Sequence, residues 1–309
     1  MRNLQFALFG AGKSIGIPIV KAFVEVDHPI LVIARPTSTL SGLPEHPLVS
    51  VVRVDTTSVL EITKVLLKHD VDVLISTISY IKGGVDAQRA MADASKCAGV
   101  KLFVPSEFGI PTGGGTDPMP KAKSDFADYL KSIGLPSLRI YVCHSVVMFS
   151  KVLLTSFVSQ KCGQFHHSIP WLTGVRETGI IYIVGEGATP QSYTAVSDVA
   201  GYTAHVLTTT TQTLSNLFDV ELRIEGQRAT LTELAALYEG VPIKFVDALP
   251  RDTLYFSEVR EYLQNNGDRG IGSSGWDWIT CTDDEGRARQ GNILWPGHRW
   301  LTAQEVLKR

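Results

Sequence analysis

Gly10, Gly12 and Gly16 stand directly behind an apolar run, Leu4-Gln5-Phe6-Ala7-Leu8-Phe9, and open a segment with helical spacing. A turn of that composition brings backbone N–H groups and the positive end of a helix dipole close to an anion, which is what a dinucleotide pyrophosphate needs. The spacing is G-x-G-x-x-x-G rather than G-x-G-x-x-G, and a glycine-rich connection also serves as a plain tight turn in α/β proteins. Ser14 and Ile15 belong to the expected cofactor contacts; Lys13 reads as a pyrophosphate contact, a contact to a second anion, or a solvated charge. The next apolar run, Ile30–Ala34, ends in Arg35-Pro36-Thr37-Ser38-Thr39, where an NAD-preferring site would carry Asp or Glu. A guanidinium there suits the 2′-phosphate of NADP, with Ser38 and Thr39 as neutral donors; the alternative is a solvated arginine at a strand end.

The elements that must hold these groups alternate regularly. After the glycine turn, Ile15, Ile19, Val20, Phe23 and Val24 share one helix face, and Pro18 is tolerated in its first turn. Strands are expected at 49–54, 71–76 and 100–104, and helices at 59–69 and 85–98, which is the signature of a doubly wound parallel sheet. A helix at 123–133, a strand at 138–142 and a helix at 145–159 follow. Beyond about residue 160 the chain becomes turn-rich, with a strand at 180–184, a helix at 199–207 capped by Asp198, a strand at 218–224, and a helix opened by a Thr230/Glu233 capping box. Residues 268–296 read as loops before a short closing helix. The expected architecture is α/β: a Rossmann-type sheet domain over 1–155, with the 218–224 strand able to rejoin it, and a smaller α+β substrate lobe over 156–309.

Composition narrows the function. A formal net charge of −2 without a basic block argues against a nonspecific nucleic-acid grip. Cys97, Cys143, Cys162 and Cys281 lack C-x-x-C spacing, so no metal or redox dithiol is expected, and they read as thiols in a reducing compartment. No apolar run approaches a membrane span, and the chain begins on a core strand without a leader, so a cytoplasmic protein is expected. Oligomeric state is left open.

Gly99-Val100-Lys101-Leu102-Phe103-Val104-Pro105-Ser106-Glu107-Phe108-Gly109, with the N-terminal glycine turn and Val73-Leu74-Ile75-Ser76-Thr77, resembles the isoflavone reductase-like and NmrA-like group of atypical short-chain dehydrogenases. Lys123 with Gly134-Leu135-Pro136, then Gly185-Glu186-Gly187 and Ser197-Asp198-Val199-Ala200, extend the similarity, which weakens after about residue 250. The loop wording and the C-terminal Leu294-Trp295-Pro296-Gly297 resemble the fungal branch. The resemblance implies a Rossmann fold that binds NADPH, and a catalytic lysine in place of the usual Tyr-x-x-x-Lys pair. Lys123 falls where that lysine is expected, with Met119 at the tyrosine position, while Lys121 and Lys131 lie nearby as rivals.

Several further residues join the expected site. Thr77, Ile78 and Ser79 follow the fourth strand, and Pro105, Ser106 and Phe108 follow the fifth, at the carboxyl edge where ligands of such sheets bind. Glu107 reads as an N-cap-like acceptor or a pocket carboxylate, and Asp55 as an adenine neighbour or a cap. Tyr80, His144, Phe149 and Trp171 are candidates for the substrate wall, each equally able to be core. The function expected is NADPH-dependent reduction of a small aromatic or secondary-metabolite substrate at a conjugated C=C, benzylic ether or carbonyl, with Lys123 orienting the nicotinamide and assisting protonation. The alternatives are a dinucleotide-sensing regulator without turnover and a redox-neutral isomerase or dehydratase.

Overall fold

The computed structural model describes residues 3–80, 84–143, 169–209 and 211–307. In β1 (Phe6–Phe9) the side chains alternate between two layers: Phe6 and Leu8 enter one apolar cluster, Ala7 and Phe9 the other. A strand buried on both faces belongs at the centre of a sheet covered by helices on either side. β2 (Ile30–Ala34) and β4 (Val73–Ser76) flank it in parallel, with Phe6 opposite both Ile30 and Val73. β3 (Val49–Arg53) and β5 (Leu102–Val104) complete the order β3-β2-β1-β4-β5.

Helix α1 (Gly16–Glu25) lays Ile19, Val20 and Phe23 onto the Phe6/Leu8 face, each apolar side chain contributing about 1.5–3 kcal/mol on burial. On the opposite face lie α2 (Val59–Lys68), α3 (Gly84–Ala98) and α4 (Pro118–Ser132), through Ile62 and Leu66, Met91 and Ala92, and Phe126 and Leu130. Helix α4 begins at Pro118, earlier than the expected start at 123, because Asp117 is extended and the proline rings fall in the first turn, where a missing N–H costs nothing.

The sheet does not stop at β5. Phe103 N–H donates to Pro136 O at 2.9 Å, leading to β6 (Leu138–Tyr141), and β9 (Val220–Arg223) pairs with β6 in parallel. Helix α7 (Val196–Thr209) packs in the same cluster as α1, so residues 196–224 return to the sheet from beyond residue 155. Asp198 is not the cap of this helix, which starts two residues before it. Its buried carboxylate accepts from Leu301 N–H at 2.8 Å and faces His298 Nε2 at 3.3 Å, fastening the C-terminal segment to the sheet.

The remainder forms a smaller α+β lobe around a third apolar cluster of Leu172, Ile181, Ile183, Tyr193 and Leu234. Its elements are α5 (Ile169–Leu172), α6 (Val175–Thr178), β7 (Ile181–Val184), β8 (Gln191–Tyr193), β10 (Gln227–Ala229), α8 (Leu231–Ala235), β11 (Ile243–Val246) and α9 (Ser257–Asp268). Strand β7 pairs with β11 in parallel and β8 with β10 antiparallel. The capping box read at Thr230 and Glu233 is formed, each side chain accepting from the other's backbone N–H. The hairpin β12 (Trp276–Asp277) and β13 (Thr282–Asp283), then α10 (Glu285–Ala288) and α11 (Ala303–Leu307), close the chain. Helix α9 lies where no helix was expected, since its sequence is mostly polar and its apolar positions are sparse. The expected helix at 145–159 lies outside the described residues. Among the described residues, no helix is long and apolar enough to cross a membrane.

The ends of β1 and β4 meet where the strand order reverses, and the turn after β1 is packed tightly there. Gly10 has φ +93°, and a Cβ on Gly16 would lie 2.6 Å from Gly10 O and 2.7 Å from Thr77 Oγ1. Gly16→Ala is expected to destabilise the fold by about 1–3 kcal/mol, because backbone atoms cannot swing aside as a side-chain tip can. Urea unfolding at equilibrium measures it; a midpoint equal to that of the wild type would contradict this packing.

Candidate functional site

The crevice outside the ends of β1 and β4 is formed by two turns joined by a side-chain bond. Thr77 Oγ1 donates to Gly10 O at 2.7 Å, so Thr77 is spent on shaping the turn and does not line the cavity. Gly12 is exposed, and a Cβ there would meet nothing nearer than Gly10 O at 3.8 Å. The start of α1 has neither a side-chain cap nor an acidic residue in its first turn, so nothing there opposes an anion at the positive end of its dipole, although Ile17 N–H is taken by Gly12 O at 2.9 Å and Pro18 has no N–H. Lys13 is exposed, Ser14 half-buried, and Ile15 buried with its side chain in the cavity wall.

At the end of β2, Arg35 is exposed and Ser38 half-buried. The loop between them is held by a residue the sequence reading passed over. Arg53, at the end of β3 and opposite Ala34, donates from one nitrogen to the carbonyls of Arg35 at 3.0 Å, Pro36 at 3.1 Å and Ser38 at 2.7 Å. The signal available in sequence was that both neighbouring strands end in arginine. Asp55 takes the role of a turn residue: its carboxylate accepts from Thr57 N–H and Oγ1, and those bonds hold its pKa below the usual carboxylate value.

Beside this crevice is a cavity of about 330 Å³, mainly apolar, between the strand ends and α9. Ile15, Ile78 and Ser79 border it on the glycine-turn side, and Tyr80, Ser106 and Phe108 line its sheet-side wall. Pro105 is buried behind that wall, its carbonyl accepting from Glu107 N–H at 2.7 Å. Ser106 is fixed by its own N–H, which donates to the buried Gln88 of α3 at 3.2 Å. Phe108 has φ +24°, in the left-handed region, and its ring serves both this wall and the core cluster of Ile15 and Val104. Across from them, Val259, Tyr262, Asn266 and Gly267 of α9 form a wall that the sequence reading missed. Tyr262 OH bonds to Asp117 at the start of α4, tying this wall to the sheet domain.

Met119 and Lys123 lie one turn apart on α4 and therefore on one face, and both border the cavity. The rivals are set apart by burial: the Lys123 side chain is 14% exposed, whereas Lys121 is 60% exposed and pairs with Asp125 at the surface. Lys123 Nζ donates to Glu107 O at 2.6 Å, lies 3.5 Å from Glu107 Oε2, and stands 5.3 Å from the centre of the Tyr80 ring. Burial pushes the Lys123 pKa down, against the pull of the Glu107 carboxylate. Burial pushes Glu107 up, against Lys123 and Arg139. Of the two readings open for Glu107, the structure shows a pocket carboxylate.

Of the four residues expected on the substrate wall, Tyr80 lines the cavity and Trp171 does not. Trp171 lies outside the lining, in the third apolar cluster, with the Arg260 guanidinium 4.7 Å over its ring; a flat apolar surface is there covered by a buried cation. His144 and Phe149 lie outside the described residues.

The arrangement fits a dinucleotide, with an anion site at a bare helix start, two arginines at the outer strand ends, and a lysine inside an apolar cavity continuous with the turn. Comparison with known proteins points the same way. The "Oxidoreductase aprR" of Aspergillus flavus is 30% identical over 175 residues, covering 54% of this chain and 56% of that protein. The chain spans about half the length of the curated relatives it matches or less. Among solved structures, AtPrR2 with NADP+ and (+)pinoresinol is similar at a TM-score of 0.71 and 18% identity, covering 100% of this chain and 99% of that one. The binary complex of leucoanthocyanidin reductase and NADPH from Vitis vinifera is similar at 0.68 and 19%, covering 98% of each chain. These likenesses establish the Rossmann-type fold. A match to the NmrA-like family model over residues 3–248 runs from β1 and the glycine turn through Lys123 to β11, stopping short of α9, and the chain belongs to the NmrA-like family.

Proposed function

We propose that this protein is an NADPH-dependent oxidoreductase that reduces a small aromatic or secondary-metabolite substrate bearing a conjugated C=C, a benzylic ether or a carbonyl. The observation that carries the reading is a single apolar cavity that begins at Ile15 and Ile78, beside the glycine turn, and holds Lys123 in its wall. The solved relatives described with NADP+ or NADPH support the cofactor, and the name of the Aspergillus flavus relative supports an oxidoreductase. On this reading residues 1–155, with 196–224 packed against them, hold the cofactor. The rest of 156–309, α9 foremost, supplies the substrate wall.

The residues fit the cofactor in detail. Gly10, Gly12, Ser14 and the start of α1 would take the pyrophosphate, Arg35 and Ser38 the 2′-phosphate on a loop set by Arg53, and Ile78, Ser79, Ser106 and Phe108 the nicotinamide end. Lys13, exposed at the turn, would add a screened charge beside the phosphates. NADPH, when bound, supplies a hydride. The chain supplies the rest: an apolar cavity that excludes water, and an ammonium at Lys123 Nζ that orients the ribose and gives a proton to the oxygen that becomes negative in the substrate.

Lys123→Met is expected to lower kcat by about 10²- to 10⁴-fold while NADPH affinity, followed by tryptophan fluorescence, changes little. Substrates to try are enones, benzylic ethers and aryl ketones. If the wild type consumes no NADPH with any of them and binds NADP+ and NADPH equally, the site is a sensor; product without a change in NADPH absorbance indicates redox-neutral chemistry. Separately, Arg35→Ala should weaken NADPH binding by about 1–3 kcal/mol and leave NADH nearly unchanged, as loss of a charge-assisted contact requires. Arg53→Ala should act in the same direction by loosening the loop. Equal losses for NADPH and NADH would remove the 2′-phosphate assignment.

A further inference from the structure

We propose that Glu107 is a positioning residue that holds Lys123 Nζ inside the cavity, and that Thr112, Tyr141 and Arg139 fix Glu107 from behind. The proposal rests on the reading of Lys123 as the group that acts on cofactor and substrate.

A lysine on a helix edge normally extends its stem along apolar surface and puts its ammonium in water. Helix α4 shows that behaviour two residues earlier, where Lys121 reaches Asp125 at the surface. Lys123 turns the other way, and the anion it pairs with there is Glu107, which is 2% exposed. Glu107 grips it at two points, through its backbone carbonyl at 2.6 Å and its Oε2 at 3.5 Å, and that oxygen has no hydrogen-bond partner. The other oxygen, Oε1, accepts from Thr112 Oγ1 at 3.3 Å, and Thr112 Oγ1 lies 3.2 Å from Tyr141 OH. Arg139 then donates to Tyr141 OH at 3.3 Å and pairs with Glu221 at 2.9 Å. Each carboxylate oxygen of Glu107 thus has a separate task, one toward the cavity and one toward the core.

Such an arrangement sets charge as well as place. A desolvated ammonium tends to lose its proton, and the facing carboxylate opposes this. The other groups facing the pair are the Tyr80 and Tyr141 phenols, the Arg139 cation behind Glu107, and, from α9 across the cavity, Glu258 and Tyr262. Tyr262 is turned to Asp117, and Arg139 is shared with Glu221. Removing the Glu107 charge therefore leaves Lys123 without its nearest counter-ion.

The experiment is competitive acetylation with acetic anhydride across a pH series, read residue by residue by mass spectrometry, on the wild type, Glu107→Gln, Glu107→Asp and Thr112→Val. In Glu107→Gln the half-titration point of Lys123 is expected to fall by about one pH unit or more, with Lys121 unchanged as an internal reference. Glu107→Asp should fall between that variant and the wild type, and Thr112→Val should move the same way by a smaller step. With a turned-over substrate, kcat of Glu107→Gln should fall about tenfold or more at neutral pH and recover in part at lower pH, where Lys123 regains its proton, while KM for NADPH stays within about twofold. Thermal melting shows which variants are folded, and Thr112→Val decides alone if Glu107→Gln is not. A Lys123 titration equal to the wild type in the folded variants overturns the proposal. A wild type that turns over nothing overturns the reductase reading instead, and the titration still decides the Lys123–Glu107 coupling.

Discussion

The structure depends on the close approach of two backbones at the point where the sheet reverses its order. The turn after β1 must pass against Thr77 and Ile78 at the end of β4, and the space left is smaller than a methyl group: a Cβ on Gly10 would lie 2.5 Å from Ile78 Cγ2. Gly10 also takes a backbone conformation that side chains oppose, and Thr77 ties its carbonyl. Because the turn is this tight, α1 starts directly over the crevice with the positive end of its dipole toward it, and the cavity can open beside it rather than behind a loop.

A second constraint follows from placing charge in that cavity. An apolar chamber disfavours isolated charge, and a buried lysine is unstable there unless something holds it. The protein meets this with a carboxylate that is itself buried, and anchors the carboxylate to hydroxyls and guanidinium groups deeper in the sheet. The cost of burying these charges is offset within one connected network spanning α4, the loop after β5, β6 and β9, all of which pack into or around the extended sheet. Substitutions in that network are therefore expected to be felt together, not singly.

The parallel sheet was legible because its strands are short, mostly apolar runs separated by helical patterns, and burial of the central ones on both faces leaves few other sequences possible. The glycine turn was legible because its composition answers a steric demand local in sequence. Helix α9 was not, since part of its wall is made by polar residues such as Asn266 and Glu258, which carry no periodic apolar signal. Trp171 was read as a candidate cavity residue because aromatics often are, but its packing against the Arg260 guanidinium depends on a residue 89 positions away. Asp198 read as a cap from its place before a helical pattern, while its actual partners come from residues 298 and 301.

By itself the sequence determined the order of strands and helices from β1 to β6, the glycine turn, the arginine after β2 and the family to which the chain belongs. These rest on interactions between near neighbours, or on patterns that only one backbone geometry satisfies. The tertiary structure alone decided that Lys123 rather than Lys121 faces the cavity, that Glu107 holds it, that Arg53 sets the loop of Arg35, and that α9 closes the opposite wall. Those facts depend on burial and on which distant groups come within a few ångströms of one another, and both are properties of the folded chain as a whole.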